Sequence, residues 1–271
     1  MEPAMAPARP PSLRPLQVGE ILDAAMKVYR QRFGPIFKAA FVVVAPIEVL
    51  IVLIQLSIPE DAFEETADDA AATAGVFGGG AIYLLAFVGL LLVTALAMRI
   101  ISDSYLGRPH DWGQSVMAAL RKLPSLGWLM LLYVSCLFAG LPYCGVMTVY
   151  LYAAFSLCVP ILMLEDVRGA RALHRSRRLV EGRWWPVSGA LLVAFLLTIV
   201  VKVFFTVVLF GAGFATQDFT VFLIIGTVLS IISSSVVAPF TAAVITIVYF
   251  DMRVRKEGFD LELLASSVGR V

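Results

Sequence analysis

Apolar residues in this chain gather into long runs separated by short polar stretches, and the lengths of those runs set the first expectation. A bilayer core of about 30 Å needs roughly 20 apolar residues at about 1.5 Å per residue. One run extends from Ile36 to Ile58 and holds Glu48 and Gln55, and a second extends from Val76 to Ile101 with Arg99 at its end. Residues 126–164 carry no charge, which is too long for one span and enough for two short ones. Pro142 and Gly145 in the stretch LPYCG supply turn chemistry, so this run divides into spans near 126–141 and 146–164. A fifth span covers 186–211 with Lys202 inside it, and a sixth covers 220–250, where Pro239 predicts a kink. The pattern predicts an all-α polytopic membrane protein with six transmembrane helices.

Between the runs a second periodicity appears. In residues 18–33 (VGEILDAAMKVYRQRF), Val18, Ile21, Leu22, Ala25, Met26, Tyr29 and Phe33 recur at helical spacing, with Glu20, Asp23, Lys27, Arg30 and Gln31 opposite. That is the signature of an amphipathic helix lying along a membrane surface. Residues 111–123 repeat it through Trp112, Val116, Ala119, Leu120 and Leu123, and residues 169–182 through Ala172, Leu173, Ser176, Leu179 and Val180. The unit is a surface helix followed by two spans, which predicts a pseudo-threefold architecture with three interfacial helices. The segments IISDSYLGR, LMLEDVRGAR and YFDMRVRKEG, at the ends of the even spans, each place an acid before an arginine.

Charge then orients the bundle. Of the chain's Lys and Arg residues, all except Lys202 fall in segments on one side or at their membrane edges, and such asymmetry marks the cytoplasmic side. The 59–75 loop has six acids and no base. Both termini are thus expected in the cytoplasm, residues 1–17 as a disordered Pro-rich tail without an apolar leader and 251–271 as a C-terminal tail. The outward loops are too short for a folded domain, which leaves chemistry to the membrane interior and the inner face. Composition agrees: 60% of the 271 residues are hydrophobic and 15% charged, far from the soluble average. A net charge of +1 leaves no basic field for nucleic acid. Cys136, Cys144 and Cys158 sit in apolar surroundings and read as buried thiols.

Three groups of residues are candidates for function. Glu48 and Lys202 fall at similar depths within spans, where an ionisable group is costly unless paired or wetted. They read either as a buried ion pair or as a snorkelling lysine and a glutamate beside a polar pocket. Arg171, Arg175 and Arg178 share one face of the third surface helix, with Arg168, Arg177 and His174 close by, and could take phosphate or anionic lipid headgroups. Ser233, Ser234 and Ser235 precede Pro239 and suit tight packing or a lined path. His174 and His110 lack thiol or carboxylate partners, so no metal is expected. Trp128, Trp184 and Trp185, with Tyr249 and Phe250, read as an aromatic belt. The chain contains no Walker, nucleophile-elbow, H-E-x-x-H or C-x-x-C motif.

The stretches RPLQVGEILDAAMKVYRQRFG, VPILMLEDVRGARALHRSRRLVEGRWWPV and YFDMRVRKEGFDLELLA resemble the actinobacterial form of the glycerophosphoryl diester phosphodiesterase membrane domain family. The resemblance implies a six-helix membrane module. Members of that family sometimes add a soluble phosphodiesterase domain, whose metal-binding acids and catalytic histidines match no position here. The expectation is a non-enzymatic module of the bacterial cytoplasmic membrane, without cofactor, that binds anionic lipid or a glycerophospholipid-related ligand and serves a protein partner through its inner face. Two alternatives stand beside it: a small transporter using Glu48 and Lys202, and a scaffold recruiting a soluble partner through its C-terminal tail.

Overall fold

The computed structural model describes residues 16–58, 69–105, 112–140, 142, 146–216 and 219–258. Among these the fold is all-α, without strands. The helices are α1 (Val18–Gln31), α2 (Phe33–Ser57), α3 (Asp69–Tyr105), α4 (Trp112–Gly140), α5 (Val146–Phe155), α6 (Cys158–Glu165), α7 (Ala170–Val180), α8 (Trp184–Thr216) and α9 (Phe219–Glu257). Six helical stretches are long and apolar enough to cross a membrane: α2, α3, α4, α8, α9 and the α5–α6 pair. The 39 residues of α9 make about 58 Å of helix, so α9 extends well past a bilayer core. It runs unbroken through Pro239.

The helices depart from the sequence pattern at their ends. α3 begins at Asp69, inside the stretch expected to be loop, because the alanine-rich DAAATA is a strong helix former and an acid in the first turn suits the helix dipole. The surface helix expected over 111–123 is not separate from the third span: α4 is continuous, with Pro124 inside it. A proline removes one helical hydrogen bond and bends a helix whose two flanks both favour it. α9 carries the last helical turns to Glu257, past the position where the C-terminal tail was expected to start. Most of residues 1–17 and the end of the C-terminal tail, from 259, lie outside the described residues.

The fourth span is broken into α5 and α6, and a side chain from elsewhere repairs the break. Ser176 of α7 donates from Oγ to the carbonyl of Ala154 at 2.7 Å and accepts from the amide of Leu157 at 3.2 Å. Its exposure is 0%, so water has no route to replace it. We expect Ser176→Ala to cost about 1–3 kcal/mol, the penalty for leaving a buried backbone group unpaired. Thermal unfolding in detergent reads this directly, and a wild-type midpoint would contradict the role.

Helix packing follows a cyclic rule. With α1–α3, α4–α6 and α7–α9 taken as three units, the even spans α3, α6 and α9 touch one another at the centre. Each odd span packs on its own hairpin partner and on the even span of the preceding unit: α2 on α3 and α9, α4 on α5 and α3, α8 on α9 and α5. The outlying helices obey the same order. α1 lies on α8 and α9 of the third unit, and α7 lies on α4, α5 and α6 of the second. A unit that exposes an apolar face buries it against its neighbour, as repeats do.

That rule changes what the amphipathic faces mean. The apolar stripe of α1 (Ile21, Ala25, Tyr29) and that of α7 (Ala172, Leu173, Leu179, Val180) are buried in the protein core. Both helices dock on the bundle through these faces. Tyr29 adds a hydrogen bond to the carbonyl of Val236 at 2.9 Å and an edge contact to Phe240. Tyr249 and Phe250, expected in the aromatic belt, are instead fully buried, because α9 is enclosed by α1, α2, α3, α6, α7 and α8.

Candidate functional site

Two places bring together the residues singled out in the sequence. The first is a half-open cleft of about 370 Å³ in the side of the bundle, walled by α2, α3, α8 and α9, with Lys202 exposed at its edge. Glu48 of α2 and Lys202 of α8 both line it, together with the hydroxyls of Thr94, Thr198, Ser234 and Thr241. The remaining lining is aliphatic. Glu48 accepts a hydrogen bond from Ser230 Oγ at 2.8 Å, and Thr198 and Thr241 share one at 3.3 Å. Among the described residues no ion pair within 4.0 Å joins Glu48 to Lys202, so the two face a common space without neutralising each other.

The serine run serves this cavity unevenly. Ser234 lines it, Ser233 donates back to the carbonyl of Ser230, and Ser235 is fully buried with no partner for its Oγ. On the opposite wall Gly89 lets α3 approach α2 closely, since a Cβ there would lie 3.1 Å from Ile47 Cδ1.

The second place is the basic end of the bundle, around α7. Arg175, read from sequence as one of three equivalent arginines, is committed to the interior of a charge cluster. Its Nε donates to Glu165 at 3.0 Å and its Nη2 to Glu257 at 2.8 Å. Tyr249 Oη donates to the same Glu165 at 2.8 Å, and Arg253 reaches Glu257 at 3.2 Å. The two carboxylates hold the Arg175 guanidinium firmly in its charged form, its hydrogen bond to Glu257 contributing most. Arg168, Arg171, His174, Arg177 and Arg178 are exposed and make no side-chain hydrogen bond or ion pair among the described residues. Shallow open recesses lie between them, one bordered by Arg171, His174 and Arg178, another by Asp166, Arg168 and Arg171.

Lysines from neighbouring helices cap this region. Lys122 of α4 donates to the carbonyls of Leu162 and Met163 at the end of α6 and pairs with Asp166 at 2.8 Å. Lys256 of α9 does the same for α7 through the carbonyls of Arg178 and Glu181. Cations on terminal carbonyls complement the helix dipole. Asp166 is left-handed, with φ of 59°, a conformation aspartate tolerates better than most side chains. Its hydrogen bond from Lys122 holds its carboxyl below the usual carboxylate range. A depressed folded pKa contributes stability above the ordinary carboxylate pKa and loses it as the pH falls through the folded value. Asp166→Asn should therefore change stability by well under 1 kcal/mol, as exposed pairs do, and remove a small part of the acid sensitivity seen in a pH series of unfolding midpoints.

The third site of note was only half visible in the sequence. Asp251, the acid of YFDMRVRKEG, accepts from the amide of Leu16 at 2.7 Å and from Arg255 Nε at 2.8 Å. Arg255 in turn donates to the carbonyl of Leu16. The side chain of Asp251 is 1% exposed.

Trp184 stacks on Tyr150 and Trp185 stands edge-on to Trp184; Trp128 and Trp185 are exposed, as a belt requires. Cys158 is buried and Cys136 half-buried, while Cys144 and His110 lie outside the described residues. Among the described residues no three His, Cys, Asp or Glu side chains gather as a metal site.

No curated protein and no solved structure matches the chain. One family does, over residues 116–267, from within α4 to beyond α9 and so across most of the second and third units. That is more than half of the sequence, and the chain therefore belongs to the family described as Domain of unknown function (DUF8558).

Proposed function

We propose that this chain is a non-enzymatic module of the bacterial cytoplasmic membrane that holds anionic phospholipid headgroups at its cytoplasmic end. The observation that carries the reading is the division of labour on α7. Arg175 anchors the helix to the bundle, while Arg171, Arg177 and Arg178 project from it with no side-chain partner among the described residues, and Arg168 lies beside Asp166 just before it. Basic residues near an anionic leaflet are attracted by about 1 kcal/mol each, and guanidinium forks grip phosphate oxygens bidentately. The charge asymmetry of the loops supports placing this end, with both termini, in the cytoplasm. The likeness of three segments to the membrane region of glycerophosphoryl diester phosphodiesterases is consistent with a phosphodiester ligand.

The test uses purified protein and native mass spectrometry with phosphatidylglycerol as probe. The paired variant Arg171→Glu with Arg178→Glu is expected to lose retained phosphatidylglycerol at least tenfold while keeping the wild-type unfolding midpoint. Retention equal to wild type would remove the reading. Raising the salt should release the lipid progressively, since exposed charges are screened within about 10 Å at 0.1 M.

A further inference from the structure

The cavity between α2 and α8 presents a recognition problem that its own residues leave unsolved. A half-buried acid stands on the α2 wall and an exposed ammonium at the edge of the α8 wall, both within helices long and apolar enough to span a membrane, where a charge costs free energy unless neutralised or wetted. They do not pair with each other. Glu48 has one hydrogen bond, from Ser230, and Lys202 has none among the described residues. Between them the hydroxyls of Thr198, Ser234 and Thr241 supply neutral donors and acceptors, and the rest of the lining is apolar. A volume of about 370 Å³ falls within the range of about 300–1,000 Å³ typical of small-molecule sites, which are mostly apolar with a few convergent polar groups.

A ligand with one charge would satisfy one wall and be repelled by, or indifferent to, the other. A ligand carrying both an ammonium and an acidic group on a small apolar body satisfies both walls at once. We infer that this cavity is a binding site for such a zwitterion, its ammonium against Glu48, its anionic group against Lys202 and its apolar part against the aliphatic walls. The inference is independent of lipid binding at α7, because none of the residues is shared.

Two sources offer this chemistry, a free apolar amino acid and the ethanolamine headgroup of a phospholipid, and one experiment separates them. Full-length protein in a non-ionic maltoside detergent is titrated with L-leucine and, separately, with short-chain phosphatidylethanolamine. The single-charge analogues N-acetyl-leucine, leucinamide and phosphatidic acid are titrated in parallel. Binding of either zwitterion, with at least tenfold weaker binding of its single-charge analogues, is the expected result, and the zwitterion that binds identifies the source. Glu48→Gln and Lys202→Met should each weaken binding at least tenfold. If neither zwitterion binds, if the analogues bind equally well, or if folded variants retain full affinity, the inference is overturned. The analogue series on wild-type protein decides the matter even where a variant fails to fold.

Discussion

Replacing Asp251 with alanine is expected to lower the unfolding free energy by about 3–5 kcal/mol, the cost of removing one partner of a buried charge pair. The carboxylate is almost completely buried and accepts from both Arg255 and the amide of Leu16. Its loss leaves a guanidinium without a counter-ion and a backbone amide without an acceptor. The second consequence is local. The residue-16 amide precedes α1, and Asp251 with Arg255 grips both its N–H side and its carbonyl, so α1 should loosen at its start. Thermal unfolding in detergent gives the global loss, and limited proteolysis near α1 gives the local one. Asp251→Asn retains an acceptor for Leu16 and should lose less. A variant Asp251→Ala with wild-type stability and protease resistance would show that the grip contributes nothing.

Reversing Arg175 is expected to be the other severe change. In Arg175→Glu a third carboxylate enters beside Glu165 and Glu257, with Arg253 as the remaining nearby cation. Arg175 is 31% exposed on its side chain, so even simple truncation to alanine falls between the surface and buried limits, at about 2–3 kcal/mol. The reversal adds repulsion to that loss and should abolish recovery of monodisperse protein. Arg171→Glu and Arg178→Glu, one helical turn away on either side, should leave folding intact. Size-exclusion profiles and unfolding midpoints of the three single variants check the contrast; equal behaviour of all three would break the distinction between anchor and exposed face.

This contrast also shows where sequence reading runs out. Helical spacing puts Arg171, Arg175 and Arg178 on one face and treats them as alike, because periodicity reports direction around the helix axis and nothing about what stands opposite. What stands opposite Arg175 is Glu257, 82 residues away, and no local pattern encodes that. A triple reversal designed from sequence would mix unfolding with lost binding. The spans were legible because a run of about 20 apolar residues leaves few alternatives, and the depths of Glu48 and Lys202 followed from counting along them. Both line one cleft, but the partnership of Glu48 with Ser230 needed the packing of α2 on α9. The amphipathic stripes were legible as stripes, but a stripe that fits a lipid surface fits a protein core equally well, and α1 and α7 bury theirs in protein. Tyr249 and Phe250 misled for a related reason: aromatic residues at a span's end suit an interface, yet α9 extends onward as a central post.

The cyclic packing of the three units has a temporal side. A ribosome delivers the units in order, but a ring has a seam, and here it joins the first unit made to the last. α2 rests on α9, and α1 on α8 and α9. Leu16 waits for Asp251, 235 residues later in the chain, and Glu48 waits for Ser230, 182 residues later. Until α9 is made, the first hairpin therefore lacks both the partner of its acid and the helix that covers one of its flanks. Closure of the seam is the last step available to the chain, and it is the step that completes the wall of the zwitterion cavity.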